Sequence, residues 1–196
     1  MAIDLMAPRT AAGLGVLGAG RQARTQLLAA LAVRGFERVK VFSRDEAGRE
    51  SFAETMSALT GRPVVACRNA AEVVSDADVL VCATSSRQPV FDSRWLKEAV
   101  HINNVGPKEA GAAELPPDIY AKADVLVTDS LAQLRQLGED FAGHAALGRG
   151  SVVELGDLIR APLDDAPRRS VFVSQGLAGT EVLLAAELLR RFGDEG

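Results

Sequence analysis

The chain is poor in the residues that build metal centres, disulfide frameworks and nucleic-acid surfaces. Its 196 residues include two cysteines, two histidines, one tryptophan and one tyrosine. Cys67 and Cys82 fall in separate apolar segments, and no histidine stands at ligand spacing from either, so no metal site is expected. Two scattered cysteines make no disulfide framework either, and a reduced, cytoplasmic protein is the simplest expectation. The net charge of -4 is spread over both signs without a basic block, which argues against nucleic acid as a partner. No apolar run is long enough to cross a bilayer. Residues 1–12, with Asp4 and Arg9, lack the basic start, apolar centre and cleavage site of a signal peptide. What is present, 47% apolar and 24% charged residues, is the composition of one soluble domain that can bury a substantial core.

The most informative stretch is Gly13-Leu14-Gly15-Val16-Leu17-Gly18-Ala19-Gly20-Arg21-Gln22-Ala23. An apolar run ends in Gly-x-Gly-x-x-Ala and an Ala/Leu-rich stretch follows, the pattern of a strand–turn–helix that binds a dinucleotide. Gly18 would permit the tight turn, Gly20 the approach of a pyrophosphate, and Ala23 close packing of helix on strand. Free N–H groups at the helix start would face the phosphates. A glycine pair alone serves ordinary turns as well, so its setting decides. The motif starts close to Met1, so no complete domain is expected before it. Residues 1–12 are expected to be an N-terminal remnant and 13–196 the nucleotide-binding domain.

The setting is a βα alternation. Strands are expected at Leu14–Gly18, Val39–Phe42, Val64–Cys67, Asp78–Ala83, His101–Val105, Asp124–Thr128 and Ser170–Ser174. Helices are expected at Arg21–Arg34, with Leu27, Leu28, Leu31 and Ala32 facing inward, at Glu46–Leu59 capped by Asp45, and at Ala70–Val74 capped by Asn69. Further helical pieces follow at Asp118–Lys122, Leu131–Leu137, Val153–Ile159 and Thr180–Phe192. Gly138–Gly150 and Ala161–Arg169 read as loops. This rhythm predicts an α/β, Rossmann-type, doubly wound and mostly parallel sheet with helices on both faces.

Cofactor choice is read at the end of the second strand. An NAD site places Asp or Glu there for the ribose hydroxyls. Here Ser43-Arg44 stand instead, and a hydroxyl with a guanidinium suits a 2′-phosphate. Arg21 adds positive charge beside the turn, so NADP(H) is favoured over NAD(H); a solvated surface Arg44 is the bland alternative. Thr84 and Ser85, after the fourth strand, are candidates for ribose or phosphate contacts, and equally for capping the next turn. Asn104 and Val105 end the next strand at the same edge, where a nicotinamide pocket would lie. Lys108 follows the Gly106-Pro107 turn and is a candidate for binding a substrate carboxylate or acting as an acid, with a solvated turn lysine as the alternative. His101 starts its strand away from that edge and reads as a packing residue, His144 has no evident partner, and Cys82 reads as core.

Taken in order, these segments resemble the nucleotide-binding domain of the ornithine cyclodeaminase/mu-crystallin family. The resemblance is carried by Leu17–Ala23, Val41-Phe42-Ser43-Arg44, Ala77–Ser86, Pro89-Val90-Phe91, His101–Gly106, Ala123–Ser130, Gly138-Glu139 and Val171–Ala178. It implies dinucleotide contacts from Gly18, Gly20, Arg21, Gln22, Ser43, Arg44, Thr84, Ser85, Asn104, Val105 and Ser174. Family members also carry an N-terminal domain that dimerises and supplies much of the substrate pocket. That domain ends in an Arg-Thr-Ala-Ala-type motif, and here Arg9-Thr10-Ala11-Ala12 runs straight into the first strand. The family's cyclodeaminases place a catalytic Asp after the Val-Gly turn, where this chain has Lys108. The resemblance therefore implies imine (ketimine) reductase chemistry on a small amino-acid-derived substrate rather than cyclodeamination. A non-catalytic nucleotide-binding module and a truncated product are the alternatives. The last helix carries Val182, Leu183, Leu184, Ala185, Leu188 and Leu189 on more than one face. One face is expected to pack on the sheet, and some of the rest to be left exposed unless another chain covers it, which implies a homodimer or a tendency to aggregate.

Overall fold

The computed structural model describes residues 1–144, 152–163, 165 and 167–192. Ten strands and eight helices are used below. They run α1 (Ala2–Met6), β1 (Gly13–Leu17), α2 (Arg21–Val33), β2 (Arg38–Phe42), α3 (Glu46–Thr60), β3 (Val64–Ala66), α4 (Ala70–Val74), β4 (Val79–Cys82) and β5 (Val100–Asn104). They continue with β6 (Lys108–Glu109), β7 (Ala112–Ala113), α5 (Asp118–Lys122), β8 (Val125–Thr128), α6 (Leu131–Leu137), β9 (Val152–Glu154), α7 (Leu155–Arg160), β10 (Arg169–Val173) and α8 (Ala178–Phe192).

The main sheet has eight strands in the order β3-β2-β1-β4-β5-β10-β8-β9. Every pairing in it is parallel. Buried on both faces, β1 and β4 are near-continuous apolar runs, whereas β5 buries the polar His101, Asn103 and Asn104. Alternation still assigns the faces. Leu14 and Val16 of β1 join a core with Ala23, Leu27 and Ala30 of α2 and Phe52 and Met56 of α3. Leu17, Leu80 and Cys82 join the opposite core with Val73 and Val74 of α4, Ile119 and Tyr120 of α5 and Leu134 of α6. Helices therefore cover both faces, and the doubly wound reading holds.

The chain runs outward from β1 to β3 and then returns to place β4 on the other side of β1. Above the carboxyl ends of β1 and β4, the loops leave in opposite directions and open a crevice. That switch point is what the fold contributes to function.

Four local readings change. Residues 152–154 form a strand, and the helix starts only at Leu155. The β-branched pair Val152-Val153 lies alongside Leu126 and Val127 of β8, so tertiary pairing prevails where a helix from Val153 was expected. On α2, Ala32 is exposed, and the inner face is Ala23, Leu27 and Ala30, with Leu28 and Leu31 half-buried. Residues 1–12 are packed into the domain: Ala2, Ile3 and Met6 are buried, and the Arg34 guanidinium donates to the Asp4 carbonyl at 2.9 Å. Finally, α8 does not lay a face on the sheet. Its described side chains are exposed, from Val182 (70%) and Leu183 (72%) to Leu189 (71%) and Phe192 (64%), with Glu187 half-buried. Val171 and Val173 of β10 are buried in the same core as Leu126 and Leu134.

The loop expected at 138–150 contains a 3-10 turn at Gly138–Asp140, and Phe141 bridges to Glu109 of β6; its part from 145 to 150 lies outside the described residues. No helix among the described residues is long and apolar enough to cross a membrane.

Candidate functional site

The crevice is a cleft of about 810 Å³. Its floor is the β1–α2 turn. Gly18 takes φ +116°, and a Cβ there would run into the Ala83 carbonyl. A side chain is thus excluded twice, by conformation and by the end of β4. The Gly18 N–H donates to the Phe42 carbonyl at 2.8 Å, which ties the turn to the end of β2. Gly20 differs: nothing lies within 4 Å of a Cβ built on it, so its bare backbone faces the open cleft. The N-cap of α2 is Gly20, with no side-chain cap bond. The first N–H groups of this 13-residue helix therefore remain available to an anion.

One wall is the end of β2. Phe42, Ser43, Arg44 and Asp45 line the cleft there. Arg44 is exposed, and the Ser43 hydroxyl donates to the Asp45 carbonyl at 3.1 Å. Asp45 occupies the N-cap position of α3, but its side chain makes no cap bond; the carboxylate instead lies against Gly48, which corrects the capping expectation. Behind this wall is Arg49, which sequence reasoning missed. It is 6% exposed, sits 5.4 Å over the Phe42 ring and donates through Nη1 to the Ser43 carbonyl at 2.8 Å. A cation inside a helix of mixed composition gives no sequence signal for such a brace.

The opposite wall follows β4. Thr84, Ser85 and Ser86 line it, so Gly18, Gly20, Arg21, Gln22, Ser43, Arg44, Thr84 and Ser85 meet in one cleft. The other candidates stand at the same sheet edge but outside the cleft lining. Asn104 is fully buried: its Nδ2 donates to Glu114 Oε1 at 2.9 Å and its Oδ1 accepts from the Tyr120 hydroxyl at 2.9 Å. The Val105 N–H donates to the Cys82 carbonyl at 2.9 Å. The Ser174 hydroxyl donates to Asp129 Oδ2 at 3.2 Å. Asp129 also accepts from the Gln175 and Gly176 N–H groups, at 2.7 and 3.0 Å, and so shapes the loop after β10. A carboxylate at the carboxyl end of a strand is a signal that could have singled out Asp129.

Lys108 opens the β6–β7 ribbon and is half-buried. Burial lowers its pKa, while the nearby Glu114, Asp129 and Glu109 carboxylates pull the other way. His101 is fully buried, bonded to Ser170 Oγ at 2.8 Å and Asn103 Oδ1 at 2.9 Å. Burial pushes its pKa down to about 4, so it is a neutral packing residue. Cys82 is core, with its thiol raised by burial. The described residues contain no cluster of three or more His, Cys, Asp or Glu groups able to hold a metal ion.

Fold and cleft together define a Rossmann-type α/β domain whose ligand crevice lies at the topological switch point. Comparison with known proteins narrows this. The model of the ornithine cyclodeaminase/mu-crystallin family matches residues 1–191, and the chain belongs to that family. It is 32% identical over 198 residues to a Delta(1)-pyrroline-2-carboxylate reductase of Bacillus cereus, covering 97% of this chain and 61% of that protein. It is 30% identical over 190 residues to the ketimine reductase mu-crystallin of Mus musculus, covering 96% and 58%. Among solved structures, the Thermococcus litoralis Delta(1)-pyrroline-2-carboxylate reductase in complex with NADH and L-proline superposes with a TM-score of 0.82 at 29% identity, covering 98% of this chain and 62% of that one. The chain thus spans about three fifths of the length of the relatives it matches.

Proposed function

We propose that this domain binds a nicotinamide dinucleotide, NADP(H) in preference to NAD(H), as the cofactor half of an imine reductase acting on a small amino-acid-derived substrate. The observation that carries the reading is the open Gly20 backbone at the start of α2, facing a cleft with Ser43 and Arg44 on one wall and Thr84 and Ser85 on the other. The residues fit the group. The α2 N–H groups and Gly20 would take the pyrophosphate. Ser43 and Arg44 would take the adenosine ribose with its 2′-phosphate, and Thr84 and Ser85 the second ribose. The bound cofactor supplies a hydride. Lys108, half-buried after the Gly106-Pro107 turn at the same sheet edge, is the candidate to hold a substrate carboxylate or to donate a proton. The two cysteines, free and buried, fit a reducing, cytoplasmic compartment.

Calorimetry with NADPH and NADH, followed by turnover assays with cyclic imines, tests this reading. Failure to bind either cofactor would overturn it. A second reading is a nucleotide-binding module without chemistry; binding without turnover would support it.

Arg44→Asp is expected to erase or invert the preference for NADPH. Loss of a charge-assisted contact costs about 1.5–3 kcal/mol, roughly ten- to a hundredfold in Kd. Equal Kd values for NADPH and NADH in the parent chain would contradict the assignment.

The exposed apolar side chains of α8 lead to a further expectation, a homodimer formed through this helix. Burial contributes on the order of 25 cal/mol per Å² of apolar surface. Sedimentation should show concentration-dependent association, weakened by Leu183→Lys together with Leu189→Lys. A monomer at all concentrations would refute it.

A further inference from the structure

Glu114 lies between β7 and α5, outside the cleft, and is fully buried. A carboxylate without water needs donors on both oxygens, and here each oxygen has two. Oε2 accepts from the Thr84 N–H and the Thr84 hydroxyl, both at 2.8 Å. Oε1 accepts from the Gly106 N–H at 2.6 Å and Asn104 Nδ2 at 2.9 Å. Tyr120 extends the network through Asn104 Oδ1. A side chain on Gly106 would collide with the Glu114 carboxylate and the Thr84 carbonyl, so the bare backbone there is what admits the carboxylate. One acidic group thereby clamps the segment leaving β4 to the segment leaving β5.

That clamp lies on a particular side of the cleft. In a doubly wound sheet each half serves one mononucleotide. The β2 wall with Ser43 and Arg44 belongs to the first half. Thr84 and the end of β5 belong to the second, where the nicotinamide nucleotide would lie. Resting on the cofactor reading above, we infer that Glu114 is a positioning residue for the nicotinamide half: it fixes Thr84 and the Val105-Gly106 backbone and touches no cofactor itself. Burial raises the pKa of the Glu114 carboxyl, and the bonds from Thr84, Gly106 and Asn104 act against that rise.

Glu114→Gln tests the inference with little change in volume. The amide group must turn its NH₂ toward one of the two donor pairs, so a Thr84 or Gly106 N–H faces another N–H. Binding of the preferred cofactor is expected to weaken roughly tenfold or more. An adenosine-half fragment, 2′,5′-ADP for an NADPH-preferring chain or ADP for an NADH-preferring one, should keep its Kd within about twofold. Thermal unfolding is followed in parallel. Glu114→Asp, which keeps the charge but loses a methylene of reach, should show the same selective loss and serves if the Gln variant fails to fold. Equal weakening of cofactor and fragment, no weakening of either, or unfolding of both variants would overturn the inference and leave Glu114 a general structural residue. A parent chain that binds no dinucleotide would instead overturn the cofactor reading, and the inference with it.

Discussion

Gly20→Val is expected to abolish dinucleotide binding, by roughly a hundredfold or more in Kd, while the domain still folds. The two halves of that expectation come from the same atoms. A Cβ on Gly20 meets no protein atom within 4 Å, so a side chain can leave the backbone there without a clash at its first carbon. The isopropyl group would fill the volume in which a pyrophosphate has to approach the α2 N–H groups. Gly18→Ala provides the contrast two residues earlier. There φ is +116° and the Cβ is directed at the Ala83 carbonyl, so this smaller change should lower the melting temperature itself. Calorimetry and thermal unfolding on both variants separate the roles. An unchanged Kd in Gly20→Val would mean that the glycine turn serves the fold alone.

The second large effect is a loss of stability in mild acid through His101. Its pKa is depressed from 6.5 to about 4, chiefly because the folded chain buries it completely. The unfolded chain therefore binds the proton first. The stabilisation is fully present above about pH 6.5, fades as pH falls, and is exhausted below about pH 4. The gap is worth about 3 kcal/mol. Asn103 Oδ1 can only accept, so Nε2 donates to it and Nδ1 accepts from the Ser170 hydroxyl; protonation would put a second N–H where Nδ1 now accepts. Urea unfolding at pH 7, 5.5 and 4 should show the parent losing stability faster than His101→Gln, which carries no titrating ring. Carboxylates titrate in both proteins, so the difference between the two curves isolates the histidine. Parallel curves would refute the assignment.

What the sequence made legible was local. The glycine turn, the βα alternation and the Ser43-Arg44 pair each depend on neighbours within a few residues, and each stands where expected around the crevice. Less legible were groups whose partners come from far along the chain. Glu114 bonds across 30 residues to Thr84, and nothing in Ala113-Glu114-Leu115 announces that. Asn104 was singled out at the correct edge, yet its amide turns inward because Glu114 and Tyr120 are there to meet it. Val152 and Val153 form a strand because β8 presents a free edge, whereas their own neighbourhood suggests a helix. The α8 expectation erred for the opposite reason: an apolar helix declares its need for a partner and says nothing of where the partner is.

The position of β10 has a consequence for synthesis. It comes last in the chain among the described strands, yet it sits between β5 and β8 and pairs with both. Until residues 169–173 leave the ribosome, β5 carries an open edge, and β8 with β9 has no hydrogen-bonded connection to the rest of the sheet. The crevice side can assemble early from β1, β2 and β4, while the far side waits for nearly the whole chain. A nascent chain arrested before Arg169 should therefore expose the edge of β5 as a parallel-strand template.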